Sequence, residues 1–153
     1  ETKNMIKNNV SKLVDILLVE DNPGDVRLTK EAFREAKVLN KIYVAKDGVE
    51  AMEYLRKEGT FADKPVPDLI LLDLNLPRKN GREVLAEIKK DPKLMHIPVV
   101  ILTSSKAEED ILKAYNLHAN CYITKPVDLN GFAQIMQSIE EFWFTIVRLP
   151  PKE

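Results

Sequence analysis

Four short apolar runs in this chain are each closely followed by side chains suited to chemistry. Glu20 and Asp21 follow Ile16-Leu17-Leu18-Val19, with Asp25 four residues further on. Asp73 follows Leu69-Ile70-Leu71-Leu72, Thr103 and Ser104 follow Val99-Val100-Ile101-Leu102, and Lys125, with Pro126 behind it, follows Cys121-Tyr122-Ile123. Three carboxylates (Glu20, Asp21, Asp73) gathered at one place repel one another, each pair about 4 Å apart by roughly 4 kcal/mol at an effective dielectric near 20. A hard divalent cation relieves that repulsion. Three or fewer carboxylates, completed by water and a carbonyl, suit octahedral Mg²⁺ better than the larger Ca²⁺ shell. A carboxylate held in this way, flanked by the Thr103 hydroxyl and the Lys125 ammonium, is arranged to receive a phosphoryl group. An oxygen of Asp73 attacks in line, the cation and Lys125 neutralise the equatorial oxygens, and Thr103 hydrogen-bonds one of them afterwards.

Each of these residues has a plainer reading on its own. An Asp after an apolar run is usually a helix cap or turn former, Thr103 a strand-end hydroxyl, Lys125 a surface lysine. Coincidence decides against the plain readings, because four run ends complement one another. The remaining run, Ile42-Tyr43-Val44-Ala45, ends in the ordinary turn Lys46-Asp47-Gly48. The runs are continuous rather than alternating, as strands buried on both faces of a parallel sheet are. Helical stripes alternate with them: Leu28, Ala32, Ala36 and Leu39 with Phe33 beside them; Ala51, Met52 and Leu55; Val84, Leu85 and Ile88; and Leu129, Phe132, Met136, Ile139 and Trp143, with Asp128 as N-cap. The fourth helix, Lys106 to Leu117, has the weakest stripe and carries Glu108, Glu109 and Asp110. Pro23, Pro67, Pro77, Gly81, Pro98 and Pro126 fall between elements. This alternation predicts an α/β domain of three layers around a parallel sheet, whose ligands bind beyond the carboxyl ends of the strands.

Composition narrows the field further. The 153 residues suffice for one domain with its own core, with 44% hydrophobic and 31% charged residues, as in an ordinary globular protein. Lys plus Arg total 23 and Asp plus Glu 24, a net charge of −1 that argues against a broad electrostatic grip on nucleic acid or an anionic membrane. No apolar run approaches the roughly 20 residues of a spanning helix. No signal-like segment is seen, and the single Cys121 excludes an internal disulfide framework, so a reducing cytoplasm is expected. Cys121 reads as a small core residue, and His96 and His118 as structural or exposed.

From Asp15 to Phe142 the chain resembles the receiver domain of two-component response regulators. That family binds Mg²⁺ with an acidic pair after the first strand, matching Glu20 and Asp21, although its first acid is commonly Asp. Its phosphoacceptor aspartate ends the third strand with a proline and then a glycine beyond, matching Asp73, Pro77 and Gly81. The backbone carbonyl two residues past the acceptor, here Asn75, completes the metal site. Thr103 matches the Thr or Ser that ends the family's fourth strand, Tyr122 its switch aromatic, and Lys125-Pro126 its Lys-Pro pair, whose peptide bond is expected to be cis. The resemblance implies a flavodoxin-like, doubly wound, five-stranded parallel sheet in the order 2-1-3-4-5. It implies phosphoryl transfer from a sensor histidine kinase to Asp73, after which Thr103 moves inward, Tyr122 rotates behind it, and the fourth helix, fifth strand and fifth helix change their surface. Asn75 and Ser105 stand where the family tunes self-dephosphorylation. Such a protein is no enzyme beyond its own phosphoryl transfer and autodephosphorylation.

The expected organisation is a flexible segment at residues 1–13, a receiver domain at 14–143, and a hydrophobic tail at 144–153 without an effector domain. The tail contains Phe144, Ile146, Val147 and Leu149, a costly patch unless covered. It resembles that of stand-alone regulators paired with phytochrome-type histidine kinases, which leads to the expectation of a homodimer through the fifth helix and tail. A flavin carrier would need a Ser/Thr/Gly-rich phosphate loop where Glu20-Asp21 stands. A haloacid-dehalogenase-type phosphatase would have its nucleophile after the first strand. A phosphorylation-independent interaction module is disfavoured by the complete set of Asp21, Asp73, Thr103 and Lys125.

Overall fold

The computed structural model describes residues 13–36, 39–114, 119, 121–128, 130–135 and 137. In order they form β1 (Val14–Val19), α1 (Pro23–Glu35), β2 (Asn40–Ala45), α2 (Gly48–Leu55), a 3-10 turn (Gly59–Phe61), β3 (Leu69–Asp73), α3 (Gly81–Lys90), β4 (Val99–Thr103), α4 (Lys106–Ala114) and β5 (Cys121–Thr124). Residues 130–135 are helical again. The strands make one parallel sheet in the order β2-β1-β3-β4-β5, as the resemblance implies. Every residue of β3 and β4 is buried, because each strand has neighbours on both sides and helices over both faces.

The pleat divides the core in two. Leu17, Val19, Ile70, Leu72, Val99 and Ile101 point to the side covered by Met52 and Leu55 of α2 and by Val84, Leu85 and Ile88 of α3. Ile16, Leu18, Leu69, Leu71, Val100 and Leu102 point to the other side, against Phe33 of α1 and the last helix's Phe132 and Ile135. There Phe33 and Phe132 meet edge to face, ring centres 5.0 Å apart.

The stripe expected for the first helix is corrected. Helix α1 ends at Glu35, so Leu39 falls beyond it, 55% exposed, and Leu28 is 43% exposed on the outer face. The buried face is centred on Thr29 and Phe33, and the Thr29 hydroxyl donates to the Asp25 carbonyl at 3.0 Å. The stripes of α2 and α3 are as expected. Asp128 accepts the Gly131 N–H at 2.9 Å, in keeping with its expected capping role. Residues 144–153, Leu129, Met136, Ile139, Trp143 and His118 lie outside the described residues, as does the segment 1–13 apart from Leu13. Among the described residues no helix is long and apolar enough to cross a membrane.

Candidate functional site

Strand register brings the singled-out residues to one edge. Val19 pairs with Leu72, Asp73 with Leu102, and Thr103 with Thr124. Glu20 therefore emerges beside Asp73, and Lys125 beside Thr103, whose carbonyl accepts the Lys125 backbone N–H at 2.8 Å. The Lys125–Pro126 peptide bond is cis, as expected. Glu20, Asp73 and Thr103 are each at most 2% exposed, whereas Asp21 faces solvent.

One carboxylate oxygen from each of Glu20, Asp21 and Asp73 lies within 4.8 Å of the others. The Lys125 ammonium stands among their neighbours, 3.0 Å from Asp25, 3.2 Å from Glu20 and 3.4 Å from Asp73. Burial, reinforced by the hydrogen bond and charge of Asp73 and opposed by Lys125, pushes the Glu20 carboxyl up to about 7. Burial alone would lower Lys125, but the Asp25, Asp73 and Glu20 carboxylates outweigh it and hold the ammonium above its ordinary value. One ammonium thus compensates part of a surplus of buried negative charge. An all-oxygen donor set under that stress fits a hard divalent cation held by Glu20, Asp21 and Asp73.

The loop after β3 folds back on Asp73. The Asn75 backbone N–H donates to Asp73 Oδ1 at 3.2 Å. Gly81, at the start of α3, donates its N–H to the Leu74 carbonyl at 3.0 Å, and an added Cβ there would fall 2.4 Å from the Asp73 carbonyl oxygen. Gly81→Ala must push α3 away from the end of β3. Its expected cost is about 2 kcal/mol, typical of overpacking, read as a lower denaturation midpoint with an unchanged urea slope.

Tyr122 is half-buried beside the core on the α2 and α3 side, and its hydroxyl accepts the Ala119 N–H at 3.2 Å. Glu108 of α4, one of the acidic residues of the weakest helical stripe, belongs to the surroundings of the site. It accepts the Ser104 N–H at 2.9 Å, the Ser104 hydroxyl at 2.6 Å and the Asn75 amide at 3.1 Å, and these donors hold its carboxyl below the ordinary range although burial opposes them. The Ser105-x-x-Glu108 spacing of a helix start was the available signal, and the Ser105 hydroxyl does accept the Glu108 N–H, at 3.4 Å. A cleft of about 430 Å³ opens between Leu76, Asn80, Arg82, Glu108 and Ile111, on the Asn75 side of the site. His96 is exposed, and Cys121 is half-buried against the second core.

The fold is matched in known proteins. Residues 16–137 fit the family model described as response regulator receiver domain, and the chain belongs to that family of signalling proteins. It is similar to response regulator Rcp1 of Synechocystis sp., 48% identical over 135 residues that cover 88% of this chain and 92% of the relative. Among solved structures it resembles the phosphorylated cyanobacterial phytochrome response regulator RcpA, with 54% identity and a TM-score of 0.73 over 92% of this chain and 100% of that one. It also resembles a Mn²⁺-bound form of response regulator Rcp1, with 47% identity and a TM-score of 0.70 over 90% and 99% of the two chains.

Proposed function

We propose that this chain is a stand-alone response regulator that accepts a phosphoryl group on Asp73 from the phosphohistidine of a sensor histidine kinase. The observation that carries this reading is the Lys125 ammonium 3.4 Å from the Asp73 carboxylate, inside a cluster of three carboxylates. Glu20, Asp21 and Asp73, with the Asn75 backbone carbonyl, would hold Mg²⁺, which when bound supplies charge neutralisation for the phosphoryl oxygens. An oxygen of Asp73 forms the new bond to phosphorus as the bond to the donor's imidazole nitrogen breaks, and the imidazole leaves with the bonding pair. Lys125 holds one phosphoryl oxygen by a charge-assisted hydrogen bond, and the Thr103 hydroxyl takes another. The movement of Thr103 is relayed through Tyr122 to the surface of α4 and β5.

A phosphorylated structure of RcpA and a Mn²⁺-bound one of Rcp1 support the chemistry, and the name of RcpA supports a phytochrome-type kinase as partner. Signalling then runs through protein contacts in the cytoplasm, without nucleic acid or membrane. The homodimer of this reading uses the fifth helix and the tail, most of which lie outside the described residues.

The test is incubation with acetyl phosphate and Mg²⁺, followed by intact-mass measurement. The expected result is a gain of one phosphoryl group that survives acid, is lost in base and does not form in EDTA. A protein that gains no mass with acetyl phosphate, or gains it equally in EDTA, overturns the reading.

A further inference from the structure

The nearest carboxylate to the Lys125 ammonium belongs to none of the residues that gather around the candidate cation position. It is Asp25, 3.0 Å away and a hundred positions earlier in the sequence. Its place is fixed from several sides. Asn22 caps α1 by accepting the N–H groups of Gly24 at 2.8 Å and Asp25 at 3.1 Å, Pro23 sets the first helical residue, and the Thr29 hydroxyl ties down the Asp25 carbonyl. The Asp25 carboxylate sits in the first turn of α1, where the helix dipole favours negative charge. Its side chain is 28% exposed, and that of Lys125 20%.

Lys125 also touches Glu20 and Asp73, but both of those carboxylates are candidates for the cation. Once they turn their lone pairs to a divalent ion, their pull on the ammonium weakens. Asp25 keeps its own undiminished. A lysine has four rotatable side-chain bonds and loses up to about 2 kcal/mol of conformational freedom when fixed, so a mobile ammonium beside Asp73 needs a dedicated anchor. Resting on the function proposed above, we infer that Asp25 is the positioning residue of Lys125: it holds the ammonium beside Asp73 Oδ2 while Glu20 and Asp73 are engaged by the cation. Asp25 touches no reacting atom in this role. It keeps one N–H of the ammonium and leaves the other two for Asp73 and the incoming phosphoryl oxygen.

The experiment is a double-mutant cycle with Asp25→Asn, Lys125→Met and the double variant, read in two ways. The first is urea unfolding in EDTA and in saturating Mg²⁺. The expected result is a coupling between the two positions that persists in Mg²⁺. The second is the rate of adduct formation with acetyl phosphate. Asp25→Asn is expected to slow it about tenfold, less than the roughly hundredfold loss that a full ångström of misplacement can bring, with Mg²⁺ affinity unchanged, and Asp25→Glu to recover part of the rate. In the Lys125→Met background Asp25→Asn should do nothing further. A coupling that vanishes in Mg²⁺ overturns the inference, as does weakened Mg²⁺ binding in Asp25→Asn, which would make Asp25 a cation ligand. An unaltered rate in Asp25→Asn overturns it too. If the wild-type chain takes up no phosphoryl group, the proposed function fails, and the unfolding cycle alone still decides whether Asp25 holds Lys125.

Discussion

Asp73→Asn is expected to take up no phosphoryl group from acetyl phosphate and, at pH 8 in EDTA, where Glu20 is mostly ionised, to unfold at higher denaturant than the wild type. The first effect follows from losing the carboxylate on which the proposed transfer depends, since an amide oxygen cannot replace it. The second follows from charge. Glu20 and Asp73 are each 2% exposed and their carboxylates lie within 4.8 Å, beside a third from Asp21. Two unit charges about 4 Å apart cost roughly 4 kcal/mol at an effective dielectric near 20, and Asn removes one of them. The Lys125 contact given up is the longest of its three, at 3.4 Å. The net expected gain is about 2 kcal/mol, half of that repulsion. Mg²⁺ should raise the stability of the variant less than that of the wild type, because linkage rewards affinity for the folded state and the variant has one carboxylate fewer to offer. Urea unfolding with and without Mg²⁺ checks both signs. A variant less stable than wild type in EDTA would mean that Asp73 is held chiefly by attraction to Lys125.

Lys125→Met is expected to act in the opposite direction. It leaves the carboxylates of Glu20, Asp25 and Asp73 without their ammonium. Breaking a fully buried pair costs about 3–5 kcal/mol, and with one-fifth of the lysine side chain exposed the expected loss near neutral pH is about 2 kcal/mol. The loss depends on pH through Glu20. Burial and Asp73 raise its carboxyl to about 7 in the folded protein, so the stability it contributes is complete below the unfolded value of 4.5 and disappears as pH rises through 7. Without the opposing ammonium the carboxyl titrates higher still. The gap between wild type and variant should therefore be smaller at pH 5, where only Asp25 and Asp73 lose a partner, wider at pH 8, and narrowed at pH 8 by Mg²⁺. Unfolding midpoints at the two pH values, each with Mg²⁺ and with EDTA, measure it, and a gap of equal size at both would remove Glu20 from the explanation. Stabilised by Mg²⁺ or not, the variant should form the adduct far more slowly than wild type.

How far such residues can be read from the sequence depends on the distance over which each constraint acts. Leu69–Leu72 and Val99–Leu102 declared themselves because a strand buried on both faces must be apolar at every position, and all of β3 and β4 is buried. Glu20, Asp73, Thr103 and Lys125 were legible because each ends its strand or directly follows it and parallel pairing carries the strand ends to one edge. The first helix was misjudged where its length mattered. Leu28 and Leu39 continue a helical period on paper, but the chain leaves the helix after Glu35, and burial follows Thr29 and Phe33 instead. The contacts of Asp25 with Lys125 and of Glu108 with Asn75 and Ser104 were invisible for a different reason. A carboxylate on a helix surface has the same local pattern whether it meets water or a partner from a distant strand, and only the packed fold tells the two apart.

The uneven burial of the three acidic side chains has a kinetic consequence. Glu20 and Asp73 are sealed from water, while Asp21 is exposed at the same edge. If the three carboxylates hold a divalent cation, as proposed, Asp21 would be the one a hydrated ion met first, and the oxygens of Glu20 and Asp73 would replace its remaining waters. Loading would then be paced by the ion's own dehydration, which is slow for Mg²⁺ and faster for larger ions such as Mn²⁺ and Ca²⁺.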